Sequence, residues 1–187
     1  MSGKIIFILG GARSGKSTFA EKLAKDLGTK VTYIATASAG DEEMEERIAR
    51  HRQNRPSSWN TIEASEQVDI AIREAGEDSE VIIVDCLTLL VTNELLKREF
   101  PENPSLSEIE EREKEILARI SALIEQAERV DSYTLLISNE VGSGLVPPYP
   151  LGRVYRDLLG KVNQLVAQSA DQVYLLVAGI PLEIKKG

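Results

Sequence analysis

Apolar residues fall in short runs along this chain, and the runs alternate with stretches in which apolar positions recur every three or four residues. Ile5-Ile6-Phe7-Ile8-Leu9, Val31-Thr32-Tyr33-Ile34-Ala35, Val81-Ile82-Ile83-Val84, Tyr133 to Ile137 and Val173 to Val177 predict strands. Their near-continuous apolar character is that of sheets covered on both faces. Between them, Phe19, Ala20, Leu23, Ala24 and Leu27 keep helical spacing up to a stop at Gly28. Further helices are predicted over Asp41 to Gln53, Glu66 to Ala75 with Gly76 as stop, Leu87 to Lys97, Ser107 to Ala127 and Val154 to Ala167. Strands alternating with helices predict an open, mainly parallel α/β sheet with right-handed crossovers. The 187 residues suffice for one core and predict a single domain over 1–187.

The helix from Ser107 carries a start signal, with Ser107 as N-cap and Glu110 three residues later as a capping box. Ile109, Ile116, Ile120, Leu123 and Ala127 form its predicted buried stripe. The run Glu110-Glu111-Arg112-Glu113-Lys114-Glu115 reads as a solvated face with pairs at helical spacing. The segments 100–104 and 146–150, rich in proline, read as loops.

Gly10-Gly11-Ala12-Arg13-Ser14-Gly15-Lys16-Ser17 fits the phosphate-binding pattern G-x-x-x-x-G-K-[ST] and stands between a predicted strand and a predicted helix. Glycines let the backbone fold around phosphate oxygens with its N–H groups inward, and the helix N-terminus adds partial positive charge. Lys16 is placed to reach the β- and γ-phosphates of a nucleoside triphosphate, and Ser17 to ligate Mg²⁺. Asp85 ends the third predicted strand, where such nucleotide hydrolases and kinases hold Mg²⁺ directly or through water. Taken alone, a strand-end Asp is as readily a turn or cap residue.

Composition narrows the partners. A net charge of −8 disfavours a polyanion, so nucleic acid is not an expected partner. No apolar run approaches the roughly 20 residues of a membrane span. The chain opens on its first strand without a cleavable apolar leader, so a cytoplasmic protein is expected. The single Cys86 reads as a small buried apolar residue.

In this acidic chain, Glu46-Arg47-Ile48-Ala49-Arg50-His51-Arg52-Gln53-Asn54-Arg55-Pro56 concentrates four arginines around the only histidine. Arginine forks suit phosphate oxygens. The same pattern also suits a structural helix, with Met44, Ile48 and His51 on one face and the arginines paired with Glu42, Glu43, Glu45 and Glu46. Both readings stand on the residues alone.

Three stretches together resemble the bifunctional adenosylcobinamide kinase / adenosylcobinamide-phosphate guanylyltransferase family of cobalamin biosynthesis. They are the phosphate loop, then Arg47-Ile48 through His51 and Arg55-Pro56 to Trp59-Asn60-Thr61-Ile62-Glu63, and Asn139-Glu140-Val141-Gly142 with Arg156-Asp157-Leu158-Leu159-Gly160 and Asn163-Gln164. The similarity runs from Ile5 to Lys185, with no matching motif between Leu87 and Tyr133. It implies a P-loop, RecA-like α/β fold and two reactions. The γ-phosphate of ATP or GTP moves to the aminopropanol hydroxyl of adenosylcobinamide; a histidine then takes GMP from GTP and passes it to adenosylcobinamide phosphate.

By that resemblance His51 is the guanylyl carrier, and Thr36, Ala37, Ser38, Arg52, Gln53, Asn54, Arg55, Glu63 and Asp85 are nucleotide contacts. Glu63 is placed to accept hydrogen bonds from the guanine edge. Glu140, Arg153, Asp157 and Asn163 are candidate contacts to the corrinoid or its phosphate. A homo-oligomer, a trimer, is implied as well. Two rival functions fit the residues less fully: a simpler P-loop small-molecule kinase with a structural His51, and an ATP-driven RecA-like binding module.

Overall fold

The computed structural model describes residues 3–37, 56–101 and 103–187. The predicted helix over Asp41 to Gln53 lies outside the described residues, as do Ser38, His51, Arg52, Gln53, Asn54 and Arg55. Seven strands occur among the described residues: β1 Lys4–Gly10, β2 Val31–Ala35, β3 Asn60–Glu63, β4 Val81–Asp85, β5 Tyr133–Asn139, β6 Gln172–Val177 and β7 Ile180–Lys185. Five helices accompany them: α1 Lys16–Leu27, α2 Val68–Ala75, α3 Leu87–Leu96, α4 Leu106–Arg129 and α5 Pro150–Ser169. No helix among the described residues is long and apolar enough to cross a membrane.

The strands form one sheet in the order β3-β2-β4-β5-β1-β6-β7. All neighbours run parallel except β6 and β7, which form an antiparallel hairpin. This is the mostly parallel, helix-flanked α/β sheet that the alternation predicts. The central strands are apolar throughout because both of their faces are covered. Ile6, Ile8, Tyr33, Ile83 and Ile137 pack with Ala20 and Ala24 of α1 on one face. Phe7, Ile34, Val84 and Leu136 pack with α2, α3, α4 and α5 on the other.

Two strands escape the hydrophobic pattern. Asn60, Thr61 and Glu63 are exposed, so β3 buries too little to leave an apolar run. In β7 the exposed residues include Ile180, Leu182 and Ile184, which lie on the outermost strand of the sheet.

Helix α4 starts two residues earlier than expected. Ser105, not Ser107, is the N-cap: its Oγ accepts from Glu108 N at 3.3 Å while Glu108 accepts from Ser105 N at 2.8 Å. Both serines stand three residues before a glutamate. The earlier cap gains two further helical residues, and Pro104, which lacks an N–H, blocks extension beyond it. Ile109 is only half-buried, and Ile124 joins the buried stripe instead.

The charged run of α4 does more than face solvent. Arg112 keeps only 11% of its side chain exposed. It donates to Leu95 O at 2.8 Å and so satisfies a carbonyl at the end of α3. Glu113 pairs with Lys161 of α5 at 2.6 Å, which ties neighbouring helices together rather than turns of one helix. Helix α5 likewise begins earlier than its periodicity suggests, with Pro150 in its first turn, where a missing N–H costs nothing.

Candidate functional site

The phosphate loop joins β1 to α1 at the carboxyl edge of the sheet, the edge where open α/β folds bind ligands. A Cβ on Gly10 would stand 2.5 Å from Ser14 Oγ and 2.6 Å from Leu176 O, so only glycine lets β1 turn there. Gly15, at φ 95°, is in the left-handed region and caps α1 without a side chain. The first-turn N–H groups of α1 therefore have no side-chain acceptor, which is the arrangement that receives phosphate oxygens. Ala12 and Arg13 are exposed on the outside of the loop, and Gly11 is exposed beside them.

Lys16 arches back over the loop. Its Nζ donates to Gly11 O at 2.7 Å, and the residue is buried together with Ser14. The loop is braced from both sides: Glu140 N donates to Gly10 O at 3.0 Å, and Gly179 N, in the β6–β7 turn, donates to Ser14 O at 2.9 Å.

Asp85 ends β4 and meets the loop directly. Its Oδ2 accepts from Ser17 Oγ at 2.9 Å, and the hydroxyl of Tyr33 donates to the same oxygen. Tyr33 is buried within β2, where a phenol requires a partner, and Asp85 supplies it. The sequence contains that signal, a tyrosine inside an otherwise apolar strand, but not the partner, which lies 52 residues away. Among the described residues no group of three or more His, Cys, Asp or Glu side chains could hold a metal. Ser17 and Asp85 instead offer a hydroxyl and a carboxylate, hard oxygen donors suited to Mg²⁺ when phosphate and water complete the shell.

Cys86 follows Asp85. Burial, then the neighbouring carboxylate, pushes its thiol up to about 11, so it stays protonated at neutral pH and offers no thiolate nucleophile.

The remaining candidates divide. Thr36 is fully buried; its hydroxyl donates to Cys86 O at 2.8 Å and accepts from Cys86 N at 2.7 Å, which fastens β2 to β4 at the site's floor. Ala37 beyond it is half-buried. Glu63 is exposed at the end of β3, level with Ala35, which is itself level with Asp85. At about 4.8 Å per strand, Glu63 stands roughly 20 Å along the edge from β1.

Asn163 does not present a free amide. It accepts from Ser138 Oγ at 2.7 Å and donates to Asn139 O at 3.0 Å, so it pins β5 to α5 from within. This buried pairing gives Asn163 a structural part in the fold, with one hydrogen bond at each end of its amide. Thr88 is a further support that sequence reasoning missed: its Oγ1 accepts from Asn139 N at 2.8 Å.

Arg153 and Asp157 lie apart from the phosphate loop's immediate contacts. They share a cleft of about 430 Å³ between α4, α5 and the loop before α4, with Leu95, Ile109, Val154 and Leu158 as apolar lining. Arg153 is fixed by donating to Pro147 O at 3.1 Å and Pro148 O at 2.8 Å. Asp157 is exposed and bonded by Arg156 at 3.0 Å.

Comparison with known proteins agrees with this architecture. Residues 6–184 match the family described as cobinamide kinase / cobinamide phosphate guanyltransferase. The bifunctional adenosylcobalamin biosynthesis protein CobU of Escherichia coli is 41% identical over 181 residues, covering 97% of this chain and 99% of that protein. Its counterpart in Salmonella typhimurium is 39% identical over the same shares. The bifunctional adenosylcobalamin biosynthesis protein CobP of Pseudomonas aeruginosa is 43% identical, covering 95% of each chain. With the family matched over nearly its whole length and the phosphate loop, Ser17 and Asp85 assembled at one sheet edge, this chain belongs to the cobinamide kinase / cobinamide phosphate guanyltransferase family.

Proposed function

We propose that the chain phosphorylates the aminopropanol hydroxyl of adenosylcobinamide with ATP or GTP, then transfers GMP from GTP through a guanylyl-histidine to give adenosylcobinamide-GDP. The observation that carries the first half is the convergence of Ser17 and Tyr33 on one Asp85 oxygen beside the phosphate loop. Phosphoryl transfer needs positioning and charge stabilisation, and these parts supply both. Lys16 and the N–H groups of α1 hold the β- and γ-phosphates. Ser17 and Asp85 would hold Mg²⁺, which supplies positive charge to the transferring phosphoryl group.

His51 carries the second half. A neutral imidazole is a competent nucleophile toward phosphorus near pH 7, and a covalent intermediate divides one transfer into two. Glu63 at the far end of the edge takes the guanine in this reading, with Arg52, Gln53, Asn54, Arg55 and Ser38 as further nucleotide contacts. The corrinoid lies over the cleft of Arg153 and Asp157, whose apolar lining and charged rim match a large ring bearing amide arms. A cytoplasmic homo-oligomer, a trimer, completes the proposal; the exposed apolar Val177, Ile180 and Leu182 favour association over a lone chain.

Two substitutions test the metal-holding pair. Asp85→Asn is nearly isosteric but removes the charge that a hard cation prefers. It should weaken Mg²⁺-dependent turnover by at least tenfold, on the order of 1.4 kcal/mol, in a protein that still folds. Turnover with the wild-type dependence on Mg²⁺ concentration would return Asp85 to a strand-end cap.

Tyr33→Phe removes the donor that orients the carboxylate while keeping the ring in the core. A hydrogen bond to a charged group contributes about 1.5–3 kcal/mol, so thermal unfolding should register a loss of that order or less. The Mg²⁺ concentration at half-maximal turnover should rise several-fold with little change at saturation. A stability loss with no shift in that concentration would make Tyr33 a packing residue only.

A further inference from the structure

Strand β5 lies between β4, which presents Asp85, and β1, which presents the phosphate loop. Its last residue, Asn139, is level with Gly10, and the next residue, Glu140, donates its backbone N–H to Gly10 O at 3.0 Å. Glu140 is therefore the acidic residue whose backbone the sheet order delivers beside the loop. Of the other acidic residues at the parallel strands' carboxyl ends among the described residues, Glu63 is four strands from β1, and Asp85 is engaged by Ser17 and Tyr33.

A negative charge next to a triphosphate site opposes binding unless it has work to do. Glu140 forms no ion pair among the described residues that would neutralise it. Its Oε1 accepts from Gly142 N at 2.6 Å, which fixes the carboxylate's direction, and the residue is only half-buried. An oriented, partly open carboxylate on a residue whose backbone adjoins the phosphate loop is equipped to take a proton from an incoming hydroxyl.

We propose that Glu140 is the general base of the kinase step, an inference that rests on the corrinoid kinase reading above. As the aminopropanol oxygen forms its bond to the γ-phosphorus, its proton passes to the Glu140 carboxylate. The bond from the γ-phosphorus to the bridging oxygen breaks, and its electron pair leaves with the nucleoside diphosphate. The proton on Glu140 is then released to water.

Glu140→Gln discriminates catalysis from structure, because the amide oxygen still accepts from Gly142 N but has no useful basicity. With adenosylcobinamide and GTP, the variant's kcat should fall by roughly 10² to 10³. Its affinity for a fluorescent GTP analogue, titrated directly, should stay within about threefold of wild type, a margin well inside one tenfold step of binding energy. In Glu140→Ala, added formate should restore part of the lost turnover by acting as a replacement carboxylate, whereas the wild type should not respond. Turnover in Glu140→Gln within a few fold of wild type overturns the proposal. So does a parallel loss of nucleotide affinity, which would show a loop that has lost its shape. A wild-type protein that binds GTP but never phosphorylates the corrinoid would fail the kinase reading itself, a result distinct from both.

Discussion

Lys16→Ala should lower corrinoid phosphorylation by roughly 10² to 10³ or more, the equivalent of about 3–4 kcal/mol of lost transition-state stabilisation. The side chain is buried and tethered to Gly11 O, so its ammonium is organised before any charge develops on the phosphates. Such preorganisation costs nothing at the moment of transfer, which is why the effect on rate exceeds that of an exposed lysine. Lys16 opens α1, where alanine is an excellent helix former, so the variant should remain folded. Steady-state phosphorylation of adenosylcobinamide, with circular dichroism as the folding control, gives the answer. Turnover within a few fold of wild type would remove Lys16 from the mechanism.

His51→Ala should abolish formation of adenosylcobinamide-GDP while much of the kinase activity remains, since γ-phosphoryl transfer does not call on that nucleophile. Wild-type protein incubated with α-phosphate-labelled GTP and Mg²⁺ should retain a covalent label that is acid-labile and alkali-stable, as a phosphoramidate is. The variant should retain none. His51 is the only histidine in the chain, so no second imidazole competes for the label. Labelling of the variant, or a wild type that binds GTP without ever labelling, would leave a simpler P-loop kinase as the better account.

The phosphate loop was legible in the sequence because it is local: glycines, lysine and serine at fixed spacing, with a buried strand on one side and a helical pattern on the other. Central strands were legible for a related reason, since burial on both faces leaves a continuous apolar signature. The edge strands were not. Asn60, Thr61 and Glu63 are exposed and carry no such mark, and Ile180 and Leu182 lie uncovered on β7. Two serines, Ser105 and Ser107, met the capping pattern equally, and the earlier one caps because it adds two helical residues up to the limit that Pro104 sets.

Side-chain direction was harder still. The sequence shows Asn163 as a polar residue in a helix but not that Ser138 and Asn139 bond to either end of its amide. The partnership of Tyr33 with Asp85, and the place of Glu140 beside Gly10, depend on which strands are neighbours. Strand order is a property of the assembled sheet, and no local pattern encodes it.

That order has a consequence for synthesis of the chain. β1 leaves the ribosome first, yet its two neighbours are β5 and β6, both from the C-terminal half. The turn that braces Ser14 comes later still, at Gly179. A nascent chain carrying the complete phosphate-loop sequence thus has neither strand that flanks it until β5 and β6 have been made. Non-local pairing of this kind is slow and leaves apolar edges open meanwhile. The phosphate loop is framed only once β5, β6 and the Gly179 turn are in place, so nucleotide stabilises the assembled sheet rather than the β1–α1 segment alone.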